Sequence, residues 1–218
     1  RISQMMDHNL QDTQFGFRKK RSTAHAIYTI RRLQEFIEKG GIASYIILLD
    51  WEKAFDRVTH DMLFTALKWQ GLPDKLINMI QAMYKNPYFQ VSIEGVTADP
   101  RRQDRGIRQG CPLSPYLFVL TMDAIFDIIR DETPTPPQGA IPGTNIDFSS
   151  ILYADDTLLI AEGKQDALMR AAYARFRLGL ATGSDHMDLV DFINQLDVNQ
   201  HVRAGKRLWR EKELVCHF

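Results

Sequence analysis

Phe148-Ser149-Ser150-Ile151-Leu152-Tyr153-Ala154-Asp155-Asp156-Thr157-Leu158-Leu159-Ile160 is the stretch on which the fold turns. Two apolar runs, 148–153 and 157–160, flank Ala154-Asp155-Asp156. Each is too short for a helix, so the spacing predicts two buried strands joined as a hairpin with acids at its turn. Adjacent carboxylates at a tight turn repel each other, and no basic residue adjoins them in the sequence. A divalent cation resolves that repulsion, and Mg2+ favours carboxylate oxygens together with substrate phosphates. Taken alone, the same two acids also describe an exposed turn.

Upstream, Tyr45-Ile46-Ile47-Leu48-Leu49 reads as a second buried strand, and it ends at Asp50. A buried carboxylate must be paired or bind a metal. A strand-end turn or a helix cap would account for Asp50 by itself. Neither simple reading explains why both acidic spots are fenced by so much apolar sequence. Two ions about 4 Å apart, held by such acids, serve in-line phosphoryl displacement.

Around these strands the chain reads mainly as helix. Ile27, Ile30, Leu33 and Ile37 repeat at helical spacing over 22–39; Ser22 or Thr23 can cap, and Gly40-Gly41 stops the run. A second helix over 59–69 stops at Gly71, and Pro73 opens a third that runs to about 85. Phe89, Val91 and Ile93 alternate ahead of a Glu94-Gly95 hairpin signal. Ser114-Pro115 opens a long apolar helix to about 130, Thr133-Pro134-Thr135-Pro136-Pro137-Gln138-Gly139 marks a loop, and 165–180 is helical again. Hairpins interspersed with helices predict an α+β sheet domain. Strict βαβ alternation is absent, as are the glycine-rich dinucleotide and P-loop signatures.

Composition agrees with a folded, globular chain. The 218 residues carry 27 Lys+Arg and 27 Asp+Glu, with 44% apolar residues, ordinary for a globular chain and wrong for disorder. No apolar run approaches the roughly 18 residues of a membrane span, so no membrane partner is expected. Cys111 and Cys216 make neither a disulfide framework nor a four-cysteine zinc site, and an intracellular, reduced protein is expected. Acids gather in 145–166 and bases in 1–30, a distribution that suits a metal-and-phosphate enzyme and equally a solvated surface.

Four motifs then stand in order. Gln14-Phe15-Gly16-Phe17-Arg18 precedes Arg21-Ser22-Thr23; Leu49-Asp50-Trp51-Glu52-Lys53-Ala54-Phe55-Asp56 follows. Next come Arg105-Gly106-Ile107-Arg108-Gln109-Gly110-Cys111-Pro112-Leu113-Ser114-Pro115 and Tyr153-Ala154-Asp155-Asp156. Together they resemble the reverse transcriptases of the non-LTR (LINE-type) branch over roughly residues 14–180. The resemblance implies a polymerase palm, an antiparallel sheet backed by helices, with a partial fingers region. It implies a fingers remnant over 1–40, a palm over 41–180 and a tail over 181–218. Asp50, Asp155 and Asp156 become the catalytic, metal-binding triad for two Mg2+ ions, with Mn2+ able to substitute.

The implied reaction is RNA-directed DNA synthesis on an RNA template, from a DNA primer 3′-OH and a deoxynucleoside triphosphate. Phe55 falls where the family sets a ring against the nucleotide sugar, although its amphipathic surroundings also fit a core residue. Gln109 and Gly110 would lie beside nucleotide and template, since Gly110 permits close backbone approach and Gln109 both donates and accepts. Cys111 reads as packing. Among the bases, Arg105 or Arg108 of the cluster Arg101, Arg102, Arg105 and Arg108 is expected to touch nucleic acid. Arg18, in the run Arg18-Lys19-Lys20-Arg21, is a further candidate for phosphate, with steep salt dependence; a solvated face is the other reading of that run.

The chain departs from the family at both ends. It begins downstream of the basic fingers residues that hold the triphosphate, and no primer grip or thumb is recognisable, so missing segments of a longer polyprotein are expected and the isolated chain is expected to polymerise poorly. Residues 184–197 hold four Asp and no Lys or Arg, a poor surface for a primer. Gly183-Ser184 and His186-Met187 resemble a cloning linker, and a changed reading frame is an equal alternative. Two other functions stay open: a metal-dependent nuclease, with His60 the nearest added base, and a non-catalytic module that binds nucleic acid or a partner.

Overall fold

The computed structural model describes residues 2, 7–41, 44–51, 53–132, 146–161 and 213–217, with Asp50, Asp131, Glu132 and 213–217 described through their backbone alone. The expected helix at 165–180, the 133–139 loop and the 184–197 tail lie outside these residues. Helix α1 spans Thr23–Gly40 and strand β1 Tyr45–Asp50. Three helices follow: the short α2 (Ala54–Arg57), then α3 (His60–Trp69) and α4 (Asp74–Tyr84). Four two-residue strands come next, β2 (Tyr88–Phe89), β3 (Ser92–Ile93), β4 (Val96–Thr97) and β5 (Arg101–Arg102). Helix α5 covers Ser114–Glu132, and β6 (Ser150–Tyr153), β7 (Asp156–Ala161) and β8 (Glu213–His217) complete the order.

The main sheet runs β6-β7-β1-β8. Strand β7 is antiparallel to both β6 and β1, with Tyr45 opposite Ala161 and Leu49 opposite Thr157. Strand β8 is parallel to β1, a pairing that nothing in its short sequence announces. Period-2 alternation explains why the inner strands read as unbroken apolar runs. Ile47 and Leu49 of β1, with Leu159 and Ala161 of β7, join a core shared with Leu63, Leu67, Ile77, Phe118 and Ile125 of the helices. Leu158 and Ile160 join Phe15, Ala26, Leu33 and Ile37 in a second core, with Ile46 and Leu48 packed against it. Apolar side chains are therefore needed on both faces: α1 covers one, and α3, α4 and α5 cover the other.

Local signals set the boundaries. Gly41, at φ 62°, donates its amide to Glu38 and Ile37 carbonyls and closes α1. The Thr59 hydroxyl accepts from Met62 N and caps α3. Glu94 and Gly95 both have positive φ, 50° and 82°, the mirror-turn geometry that suits a tight hairpin between β3 and β4. The brief helix α2, four residues after β1, was not foreseen; Lys53 enters it at φ 53°.

Candidate active site

Asp155 and Asp156 occupy the tip of the β6–β7 hairpin. Tyr153 pairs with Asp156, so Ala154-Asp155 is a two-residue loop, and both acids are exposed. The β1–β7 register reaches Leu49 opposite Thr157. One further step along that register sets the backbone of Asp50 opposite that of Asp156. Three acidic positions thus meet at one end of the sheet. The Trp51 indole N–H donates to Thr157 Oγ1 at 3.1 Å and ties the two strands just beyond them.

The chain leaving Asp50 builds a second part of the site. Phe55, on α2, stacks on Phe118 of α5 with ring centroids 4.0 Å apart and planes 15° off parallel. Phe118 is fully buried and Phe55 half-buried, so one face of the Phe55 ring is spent on that contact. Segment 55–59 is paired with 105–109. Ile107 N donates to Phe55 O at 2.8 Å, Gly106 N donates to Val58 O at 2.7 Å, and Thr59 bridges Arg105. Gln109 Nε2 donates to Asp56 Oδ1 at 2.9 Å across the two segments. Gly106, at φ 93°, is needed here: a Cβ would lie 2.9 Å from Asp56 O. Gly110, at φ 80°, faces open space, where a side chain would meet nothing within 4 Å.

Arg108 is half-buried. Its amide donates to the Tyr84 hydroxyl at 3.4 Å, its guanidinium lies 5.7 Å from the Tyr84 ring centre, and its carbonyl accepts from Ser114 Oγ. Burial pushes the Tyr84 hydroxyl above its ordinary pKa, with the Arg108 amide and Ser114 opposing the shift. Arg105 is exposed at the outer end of the rail that 105–109 forms against 55–59. Arg18 is committed elsewhere. Its Nε donates to Asp7 Oδ1 at 2.9 Å, Nη1 to Gln11 O at 2.6 Å and Gln14 O at 3.1 Å, and Nη2 to Asp7 O at 2.7 Å. Its side chain is only 7% exposed, which makes it a strut for the loop around it.

Sequence reasoning passed over Asp56, Gly16 and Tyr84. Asp56 and Gly16 lie inside two of the four motifs, and their roles need the fold to bring their partners near. Among the described residues, no three Asp, Glu, His or Cys side chains gather tightly enough to hold an ion; the Asp50 side chain falls outside that set. The donors expected of the site, all carboxylate oxygens, suit a hard cation such as Mg2+.

A family model described as reverse transcriptase (RNA-dependent DNA polymerase) matches residues 1–181. The chain belongs to the reverse transcriptase family. Its relatives are non-LTR retrotransposon polyproteins. One, the Pol polyprotein of a type-1 R2 element from Nasonia vitripennis, is 34% identical over 62% of this chain and 12% of its own length. A 149 kDa protein of transposon TX1 from Xenopus laevis is 31% identical over 64% of this chain and 10% of its own length. The chain thus spans about a tenth of these curated relatives. An apo telomerase structure from Candida tropicalis, truncated from its C-terminal domain, superposes with TM-score 0.56 at 15% identity, covering 83% of this chain and 38% of that one. The likeness shows a reverse transcriptase fold of the polymerase-palm kind.

Proposed function

We propose that this reverse transcriptase chain carries the catalytic centre of an RNA-directed DNA polymerase from a retroelement polyprotein, in which a primer 3′-OH attacks the α-phosphate of a deoxynucleoside triphosphate. The observation that carries the reading is the meeting of Asp50 with the Ala154-Asp155-Asp156 turn at one sheet end. Asp50, Asp155 and Asp156 are the residues that would hold two Mg2+ ions. When bound, these ions would supply activation of the attacking hydroxyl and stabilisation of the leaving oxygen.

The remaining groups position the reactants. Phe55, braced from behind by Phe118, presents its free ring face toward the nucleotide sugar and disfavours a 2′-OH there. Gln109, oriented by Asp56, and the open backbone at Gly110 form the bed for nucleotide and template. Arg105 and Arg108 supply positive charge along the same rail. Arg18 shapes the loop beside the hairpin, so in this reading its contribution to substrate is indirect.

Incorporation of labelled deoxynucleotide on a primed RNA template, with and without Mg2+, tests the proposal. Asp155→Asn, in a chain that synthesises DNA, is expected to abolish synthesis and leave template affinity nearly intact, because a lost metal ligand acts mainly on the transition state. Strand cleavage without added nucleotides would instead mark a nuclease. Template binding without synthesis, in the longer polyprotein as well as in this chain, would mark a non-catalytic module.

A further inference from the structure

The loop 11–18 runs along β6, the outer strand of the described sheet, in the hairpin that carries Asp155 and Asp156. Gln14 forms a parallel bridge with Leu152. Phe15 N donates to Leu152 O at 2.8 Å, and Leu152 N donates to Thr13 O at 3.0 Å. The next residue, Gly16, meets the turn itself. A Cβ on Gly16 would lie 2.2 Å from Ala154 N and 3.1 Å from both Ala154 Cα and Tyr153 C.

Two reasons for a glycine can be separated here. Gly41, Gly71, Gly95, Gly106 and Gly110 have positive φ; Gly16 does not. No left-handed φ demands a glycine at this position, and the demand comes from space. The atoms it clears are main-chain atoms next to Asp155, and they have little freedom to retreat. Ala154 already sits at φ 56°, a conformation disfavoured for a residue with a Cβ.

The loop is also held from its other side. Gly16 N donates to the buried Gln14 Oε1 at 2.9 Å. Arg18 clamps the Gln11 and Gln14 carbonyls. Gln11 N donates to Asp123 Oδ1 at 3.1 Å, and Gln11 Nε2 donates to Asp127 Oδ1 at 3.0 Å, both on α5. Polar contacts therefore run from the helix layer, through 11–18, to the hairpin tip.

We infer that Gly16 is a positioning residue: its bare Cα sets the height of the Ala154-Asp155 turn, and the 11–18 loop braces that turn against α5. The inference rests on the reading of Asp155 and Asp156 as the reactive carboxylates. Gly16 itself touches no substrate.

The test uses the full 218-residue chain, with Gly16→Ala against Gly95→Ala, a glycine in the distant β3–β4 turn. Amide hydrogen exchange is read at 153–157 and at the interior of α5, and DNA synthesis is read on a primed RNA template. Gly16→Ala is expected to speed exchange at 153–157 and leave α5 protected. It is expected to lower kcat about 100-fold, the loss typical of misplacing a reacting group by about an ångström. KM and template affinity stay near wild type, because ground-state binding is untouched. Gly95→Ala should change neither reading. If the wild-type chain makes no DNA on its own while Gly16→Ala still loosens 153–157, the brace stands on the exchange reading alone, and the polymerase reading fails only if the longer polyprotein makes no DNA either. Unchanged exchange at the turn, or unchanged kcat in an active chain, overturns the inference. Should Gly16→Ala fail to fold, Gln14→Ala releases the Gly16 amide without adding volume. It should loosen the same five residues to a smaller degree, and unaltered exchange there also overturns the inference.

Discussion

Asp123 shows how much one buried carboxylate can report about its surroundings. It is fully buried, accepts from Gln70 Nε2 at 2.9 Å and Gln11 N at 3.1 Å, and has Asp127 one helical turn away. Burial, reinforced by Asp127, raises its pKa to about 6, with the Gln11 and Gln70 donors opposing the shift. The folded state then binds a proton that the unfolded chain has already lost. Stability from this site is complete below about pH 4, the unfolded value, and is lost as pH rises through about 6. Asp123→Asn, with the Gln70 amide turned to accept, removes the penalty. Its unfolding free energy is expected to gain on wild type between about pH 4 and 7 by up to roughly 3 kcal/mol. Urea unfolding across that range checks it; parallel curves for the two proteins would return Asp123 to an ordinary acid. At the same scale, Asp56 closes the motif that Leu49-Asp50 opens and has no neighbour in the sequence that gives it a role. Its hydrogen bond to Gln109 spans 53 residues, and no local pattern announces such a pair.

Elements were legible in proportion to how locally they are determined. Helix α1, β1, α3, α4, α5 and the acidic hairpin follow from periodicity, caps and run length, and each lies within a few residues of its expected bounds. The hairpin turn is tighter than its sequence suggested, because Asp156 pairs with Tyr153 and leaves only two loop residues. Helix α2 escaped notice because four residues carry no period. The pairing of 55–59 with 105–109 escaped as well, since it depends on main-chain groups that any sequence offers. That pairing is nonetheless demanding at Gly106. Gly106→Ala combines a strained φ of 93° with a Cβ 2.9 Å from a carbonyl oxygen. It is expected to cost about 1–3 kcal/mol of stability and to free Gln109 from Asp56. Urea denaturation and the exchange rates of the Gly106 and Ile107 amides check both halves of that expectation.

Across the whole molecule, the β2–β5 arm stands apart from both cores. Tyr88, Phe89, Val91, Ile93 and Val96 are all exposed, Val96 to 75% and Ile93 to 68%. So many neighbouring apolar side chains on one short arm favour association. Ile93→Lys combined with Val96→Lys is expected to reduce self-association in sedimentation while leaving the melting temperature within a few degrees. An unchanged mass distribution would clear the arm of responsibility. The strand order carries a different consequence. Strand β1 lies between β7 and β8, and the residues that pair with Tyr45 and Leu49 are Ala161 and Thr157, reached only after four helices and the arm have been made. During synthesis on the ribosome, Tyr45-Ile46-Ile47-Leu48-Leu49 therefore emerges long before either neighbour exists. It waits as an unpaired apolar β-former, the kind of segment that chaperones shield and that nucleates aggregates when they do not. Closure of the sheet spans most of the chain, so folding should be slow for its size and set by the arrival of the acidic hairpin.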